Sequence, residues 1–134
     1  MKSTFVQYNL YLIPDTNPSK LIVTLEGEAK DAHSSSAGKY ILGPDPVNGK
    51  PHWLQDQGSK AIWHFKDDEA WVIGLKEDLG SILALIASFD EVASPQEATS
   101  WQYNDGKEWI KTSDDVLVFI PGAYVMANIE STQL

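Results

Sequence analysis

Histidine and serine are two of the residue types in this chain that could transfer protons or attack a carbonyl group. The three histidines, His33, His52 and His64, do not form the close pairs that metal sites place on one strand or helix. The run Ser34–Ser36 follows His33, but no Gly-x-Ser-x-Gly turn is present to expose a serine as a nucleophile. The sequence therefore predicts neither a hydrolytic triad nor a metal site, and we expect a non-catalytic protein without a cofactor.

Carboxylates could also do chemistry, and they cluster at Asp67–Glu69, Glu77–Asp78, Asp90–Glu91 and Asp114–Asp115. Calcium loops place Asp at alternating positions around a glycine, and that pattern is missing here. A carboxylate pair for glycoside hydrolysis needs a defined separation, which a sequence does not give. We interpret the clusters as solvated loop charge that aids solubility and protects sheet edges.

The chain has five tryptophans, whose rings could either fill a core or hold a sugar. We expect Trp63 and Trp71 to lie in the core. The other three are candidates for an exposed platform, on which the C–H face of a sugar packs while nearby polar side chains bind its hydroxyl groups. The predicted ligand-binding residues are Trp53, Trp101, Trp109, Asn48, His52, Asn104 and Asp105. The alternative, that all five tryptophans fill a small core without disulfides, stays open.

The charge balance narrows the list of partners. Ten lysines, no arginine and nineteen acidic residues leave a formal net charge of −9. Nucleic acids and anionic membrane surfaces attract basic proteins, so we expect neither as a partner. The lack of arginine and of a Gly-rich loop also disfavours nucleotide binding. Cysteine is absent, which excludes disulfides and thiolate metal ligands.

The N-terminal residues have the alternation of a strand rather than the pattern of a targeting signal. In 4–13, Gln7 and Asn9 interrupt the apolar run that a secretory signal requires. No stretch approaches the roughly 18 apolar residues of a membrane-spanning helix. We therefore expect a cytoplasmic protein.

The sequence consists of short apolar segments separated by frequent turn-forming residues. The fold that these segments form must position the candidate residues. The spacing predicts an all-β fold, a single-domain antiparallel sandwich or partly open barrel of about eight to eleven short strands over 1–134, with a core module at about 22–120. The run 79–89 could be a buried central strand or a helix that plugs one end of a barrel. The predicted strands are 4–13, 20–26, 38–42, 51–55, 60–66, 70–75, 81–88, 99–103, 107–111, 116–120 and 123–128.

The first hairpin determines which aromatic rings share a face. A three-residue loop at Asp67–Glu69 would pair Lys66 with Ala70. Trp63 and Trp71 would then lie on the same side of the ribbon, because side chains alternate along a strand. A shift of one residue would separate them, so we favour the three-residue loop.

The second hairpin leaves two registers open. A three-residue loop at 104–106 would set Trp101 opposite Trp109, with Gly106 supplying the positive φ. A two-residue turn would set Trp101 opposite Ile110 instead. We favour the first register because it collects three aromatic rings on one face.

A longer pattern runs through residues 22–120. Its residues are Gly38-Lys39-Tyr40, Asn48-Gly49-Lys50-Pro51-His52-Trp53, Ala61-Ile62-Trp63, Trp71-Val72-Ile73-Gly74, Pro95, Trp101, Asp105-Gly106, Trp109 and Val116. The pattern resembles a small tryptophan-rich β module that occurs, often in multiple copies, in algal, protist and invertebrate proteins. The resemblance implies a compact β module and no settled activity. The sequence departs from the module at the apolar run 82–89, which could mark a contact with a partner.

Three functions follow from these expectations. The first is a non-catalytic binding module that recognises a carbohydrate or another polar small ligand through exposed tryptophan and neighbouring Asn, Asp and His. The second is a protein-interaction or scaffold module that forms a homodimer through an edge strand such as 123–128. The third is a carrier of hydrophobic ligands, which the missing arginine for a carboxylate head disfavours.

Overall fold

The computed structural model describes residues 17–112 and 114–122. Within these ranges, nine strands form one antiparallel sheet, with a short helix, α1 (Gly27–His33), between the first two. The predicted strands 4–13 and 123–128 lie outside the described residues. The strands are β1 (Lys20–Leu25), β2 (Gly38–Leu42), β3 (Trp53–Gln55), β4 (Lys60–Phe65), β5 (Ala70–Leu75), β6 (Ile86–Ser88), β7 (Gln102–Asn104), β8 (Trp109–Lys111) and β9 (Val116–Phe119).

The connection between β8 and β9 shows how strongly the sheet is curled. Strands β1 to β8 follow one another as a meander, while β9 pairs with β1 at the other edge. Residues 112–115 join the two edge strands, and so short a segment spans at most about 18 Å. A flat sheet of this many strands would be roughly 38 Å wide. The sheet therefore curls into a half-barrel, which confirms the prediction of an all-β, partly open barrel.

The concave side of the half-barrel holds the main core. Every strand from β1 to β7, and β9, contributes buried apolar side chains to one contiguous cluster, and the alternation of β1 is typical of a half-buried strand. The largest members are Trp53, Trp71, Trp101, Tyr40, Leu21, Ile62, Ile73 and Ile86. Three of the five tryptophans therefore fill the inside of the barrel.

One end of the half-barrel is covered by α1. Ala29 on this helix is fully buried in the core cluster. The Tyr103 hydroxyl on β7 donates a hydrogen bond to Glu28 over 3.0 Å, and His33 Nε2 donates to the Asn104 carbonyl over 2.6 Å. Burial and the Glu28 carboxylate both raise the pKa of Tyr103, so its hydroxyl stays protonated and can donate. These contacts fix the helix against the β7 side of the barrel.

The convex side of β4 and β5 is also buried, under the connection between β5 and β6. Trp63 lies on this side, and its indole N–H donates to the Ser81 carbonyl over 3.1 Å. The run 79–89 is therefore neither a helix nor a continuous strand. Residues 79–85 form turns and irregular chain over Trp63, and only Ile86–Ser88 pair in the sheet.

The predicted register of the first hairpin is wrong. Phe65 pairs with Ala70 across a four-residue loop, so Trp63 lies opposite Val72 and Trp71 lies opposite His64. Trp63 and Trp71 therefore point to opposite faces. The reason is that both faces of β4 are covered: all residues of 60–64 are buried. Trp63 and Trp71 are therefore both buried although they lie on opposite faces of the sheet.

Both registers considered for the second hairpin are also wrong. Asn104 pairs with Trp109 across another four-residue loop, and Tyr103 pairs with Ile110. Trp101 lies opposite Thr112, whose N–H donates to the Trp101 carbonyl over 3.1 Å. Tyr103 and Trp101 consequently point into the barrel, and Trp109 points outward.

Candidate functional site

Two of the three tryptophans predicted as platforms lie in the core. Trp53 is fully buried; its ring packs against Trp71 with 5.9 Å between centroids, and its N–H donates to the Pro18 carbonyl over 2.8 Å. Trp101 is 2% exposed in the same cluster. The expectation that these two rings are exposed is wrong, since neither presents a face on which a sugar could pack.

The predicted polar residues near Trp53 hold a loop onto the sheet. Asn48 adopts a φ of +55°, and its side-chain amide donates to the His64 and Gly80 carbonyls over 2.9 and 3.1 Å. His52 is buried against Gly43, where an added Cβ would lie 2.1 Å from its Nε2 atom. Both side chains therefore contribute to the packing of this loop.

The remaining predicted residues come together at the hairpin between β7 and β8. Asn104 and Trp109 are direct cross-strand partners, so their side chains lie on the same convex face. Trp109 is half-buried, and Phe89 stands edge-on against it with 6.4 Å between centroids and 89° between planes. Phe89 is itself 44% exposed. We call Asn104, Asp105, Trp109 and Phe89 the hairpin face.

Asp105 is held rigidly at the tip of this hairpin. Its Oδ1 atom accepts hydrogen bonds from the backbone N–H groups of Lys107 and Glu108, over 2.8 and 2.9 Å. The backbone hydrogen bonds from Glu108 and Lys107 lower the pKa of Asp105, because they stabilise the ionised carboxylate. Both of these hydrogen bonds reach Oδ1, so Oδ2 can accept a hydrogen bond from a ligand.

A surface cleft of about 510 Å³ adjoins the hairpin face. It separates the hairpin tip from the end of α1 and from the irregular chain before β6. Asn104 Oδ1 accepts a hydrogen bond from the Gly106 N–H group over 2.8 Å. This contact fixes the orientation of the whole Asn104 side-chain amide, including its NH₂ group. The cleft is lined by Ala32, His33, Ala84, Leu85, Asn104, Asp105 and Gly106.

Sequence reasoning found three residues of the hairpin face and missed Phe89 and His33. Phe89 ends the apolar run 79–89, for which the sequence predicts either a buried central strand or a helix, and neither alternative gives Phe89 a role at a ligand site. His33 lies 71 positions before Asn104, and only the packing of α1 against β7 brings them together. No residue spacing in the sequence indicates the contact between His33 and Asn104.

Three searches of the described residues and of the sequence gave negative results. No group of three or more His, Cys, Asp or Glu side chains in 17–112 and 114–122 is arranged to hold a metal ion. The helical residues in these ranges include no segment with the length and apolar character needed to cross a bilayer. Comparisons with protein-family models, with curated protein sequences and with solved structures gave no match. The resemblance to the tryptophan-rich module therefore stays a prediction.

Proposed function

We propose that this protein is a non-catalytic binding module that recognises a neutral carbohydrate through the hairpin face. The observation that carries the proposal is the cross-strand pair of Asn104 and Trp109, which sets an amide beside a partly exposed indole. A sugar ring offers C–H groups to an aromatic face and hydroxyl groups to polar side chains at its edge. Phe89 stands perpendicular to Trp109 and extends the aromatic surface.

Asp105 and Asn104 supply complementary partners for sugar hydroxyls. The ionised Asp105 accepts hydrogen bonds through Oδ2, and the Asn104 amide can donate through Nδ2. Because backbone contacts already fix both side chains, binding costs little additional side-chain entropy. The negative charge of Asp105 and the net charge of −9 disfavour acidic sugars, so neutral saccharides are the expected class.

A glycan panel with matched variants tests this proposal. The wild-type protein should bind one or more neutral saccharides in titration calorimetry, and Trp109→Ala should weaken that binding at least tenfold. Asp105→Asn should weaken it while leaving the fold intact by circular dichroism. Leu117→Ala is the control, because Leu117 is also an exposed apolar residue, 48% accessible, but lies on β9 at the opposite sheet edge. No binding across the panel, or equal loss in the control, would overturn the proposal.

A protein-interaction module is the second candidate, favoured by the exposure of Ile82 and Leu83. These residues are 67% and 59% exposed on the irregular chain before β6, which is uncommon for large apolar side chains in adjacent positions. Sedimentation velocity on the wild type and on Ile82→Asn tests it: self-association that the substitution abolishes would support an interaction role. The predicted edge strand 123–128 lies outside the described residues.

The hydrophobic-carrier hypothesis receives no support from the packing of the barrel. A carrier of this kind needs space for its ligand between the strands, and Trp53, Trp71 and Trp101 occupy the concave side. A cytoplasmic location stays a prediction from the interrupted apolar run in 4–13, to which the absence of cysteine adds support.

A further inference from the structure

The end of the half-barrel opposite α1 carries a second cleft, of about 290 Å³, which we call the mouth cleft. In a meander, successive connections alternate between the two ends of the sheet. The α1 connection lies at one end, so the β2–β3, β4–β5 and β6–β7 connections all lie at the other. These three connections and the end of β4 line the cleft with Lys50, His64, Glu69, Glu91, Val92 and Ala93.

His64 is the most deeply placed polar side chain of this cleft. It is 7% exposed, and its ring stands edge-on to Trp71 with 5.0 Å between centroids. Its Nδ1 atom is buried and has no hydrogen-bond partner among the described residues. It is one of five such side-chain atoms in the described residues and the only one whose residue lines this cleft. A buried polar atom without a partner requires an explanation. The ring lines the cleft, and Nε2, unlike Nδ1, is not among the buried side-chain atoms without a partner in the described residues, so we assign Nε2 to the cleft.

The imidazole of His64 is neutral near pH 7. Burial lowers the pKa of His64, and the positive charge of Lys50 lowers it further, while Glu69 acts in the opposite sense. A neutral imidazole carries one proton. The tautomer with that proton on Nε2 leaves an unprotonated Nδ1 inside, which avoids burying an unpaired N–H group. Nε2–H is then a hydrogen-bond donor directed to the cleft.

Charges of both signs surround this donor without pairing with each other. Within the described residues, the Lys50 ammonium has no carboxylate within 4 Å, and the one ion pair found joins Lys39 to Asp56 over 3.3 Å. Lys50 is half-buried, whereas Glu69 and Glu91 are exposed at the rim. Val92 and Ala93 add a small apolar wall. The cleft thus presents one cation, two anions and one neutral donor around a short apolar surface.

We propose that the mouth cleft binds a small zwitterion of the α-amino-acid type. Its carboxylate contacts Lys50 and the Nε2–H group of His64, its ammonium contacts the carboxylates of Glu69 and Glu91, and a short side chain packs on Val92 and Ala93. A simple anion would meet two repelling carboxylates, and a simple amine would meet the Lys50 ammonium. The volume lies at the lower end of the range for ligand pockets, which fits a molecule of this size.

Titration calorimetry with free amino acids and with derivatives that lack one charge tests the proposal. We expect at least one small aliphatic L-amino acid to bind the wild-type protein. Its N-acetyl derivative, which lacks the ammonium, and its amide, which lacks the carboxylate, should each bind at least tenfold more weakly. No binding by any amino acid, or equal binding by either derivative, would overturn the proposal.

Matched lysine variants identify the site. Lys50→Gln should weaken amino-acid binding at least tenfold. Lys76→Gln should leave it unchanged, because Lys76 follows β5 at the α1 end of the half-barrel. Circular dichroism checks that both variants are folded, and Glu69→Gln provides a second test at the exposed rim. Unchanged binding in Lys50→Gln would place the ligand elsewhere and refute the assignment, independently of any result on the hairpin face.

Discussion

Replacing Gly74 with alanine tests how Trp63 packs on the convex side of the sheet. A Cβ atom at this position would lie 2.7 Å from Cη2 of Trp63 and 3.0 Å from the Leu83 carbonyl oxygen. Carbon atoms in favourable contact are about 3.5–4.0 Å apart, so the indole or the chain above it must move by about 0.8 Å or more. The indole cannot move freely, since its N–H is bonded to the Ser81 carbonyl. Overpacking of this kind costs about 1–3 kcal/mol.

The net loss expected for Gly74→Ala is somewhat smaller than the overpacking cost. Alanine reduces the conformational entropy of the unfolded chain and returns about 0.4–1 kcal/mol where its backbone conformation is compatible. We therefore expect the free energy of unfolding to fall by about 1–2 kcal/mol. Urea titration followed by far-UV circular dichroism should show a lower midpoint with an unchanged slope.

Phenylalanine at position 63 provides the matched control. It lacks the outer ring atom Cη2, so Gly74→Ala should cost less in a Trp63→Phe background than in the wild type, and a double-mutant cycle would measure the difference. Wild-type stability for Gly74→Ala, or equal losses in both backgrounds, would refute this packing. In a three-residue hairpin Trp63 would lie opposite Ile73 and on the other side from Gly74, so either result would also refute the four-residue loop.

Two further predictions concern the other aromatic rings and the buried imidazole. Trp53→Ala should reduce the free energy of unfolding by about 3–5 kcal/mol because it empties a buried aromatic site, whereas Trp109→Ala should cost about 1 kcal/mol; comparable losses in urea titrations would contradict the assignment of core and surface rings. For His64, burial disfavours the charged form, so the unfolded chain binds a proton more readily than the folded protein. The free energy of unfolding should therefore be highest above the unfolded pKa of His64, about 6.5, and should fall as the pH is lowered through and below that value. The fall should be smaller in His64→Gln, and unfolding measured at pH 5 and pH 8 would show the difference.

Several strands were predictable from the sequence, some with one buried face and one with both faces buried. In β1 the buried side chains Leu21, Val23 and Leu25 alternate with more exposed ones, and the predicted strand 20–26 differs from the observed one by a single residue. The strands at 38–42 and 70–75 have the predicted limits. Turn residues and β-branched runs sufficed there, because local preference and burial act in the same direction.

The prediction for the run 79–89 was wrong because its apolar residues have two different structural roles. Ile86 and Ala87 lie in the sheet and are buried, whereas Ile82 and Leu83 are exposed on the chain that crosses Trp63. The hydrophobicity of the sequence does not distinguish the buried residues of this run from the exposed ones. What separates them is the indole underneath, whose N–H requires an acceptor and receives the Ser81 carbonyl from irregular chain.

The candidate site was predictable only within one hairpin. Asn104, Asp105 and Trp109 are close in sequence and remain close in space because a short loop joins their strands. His52 and Trp53 are adjacent in sequence, but consecutive residues of an extended chain point to opposite faces, so nearness along the chain did not place them at one site. The mouth cleft draws on three separate connections, and only the alternation of a meander brings those connections to one end.

Loop parity explains why the five tryptophans divide as they do. An even number of loop residues puts Trp71 and Trp63 on opposite faces, and the same parity in the second hairpin puts Trp101 inside and Trp109 outside. The two outward rings then meet different surroundings. Residues 79–85 cover Trp63 and satisfy its N–H, whereas Trp109 has the partly exposed Phe89 at its edge. The convex side therefore buries one indole fully and leaves the other partly exposed, and this difference is the reason that the proposed function rests on Trp109 rather than on the other four tryptophans.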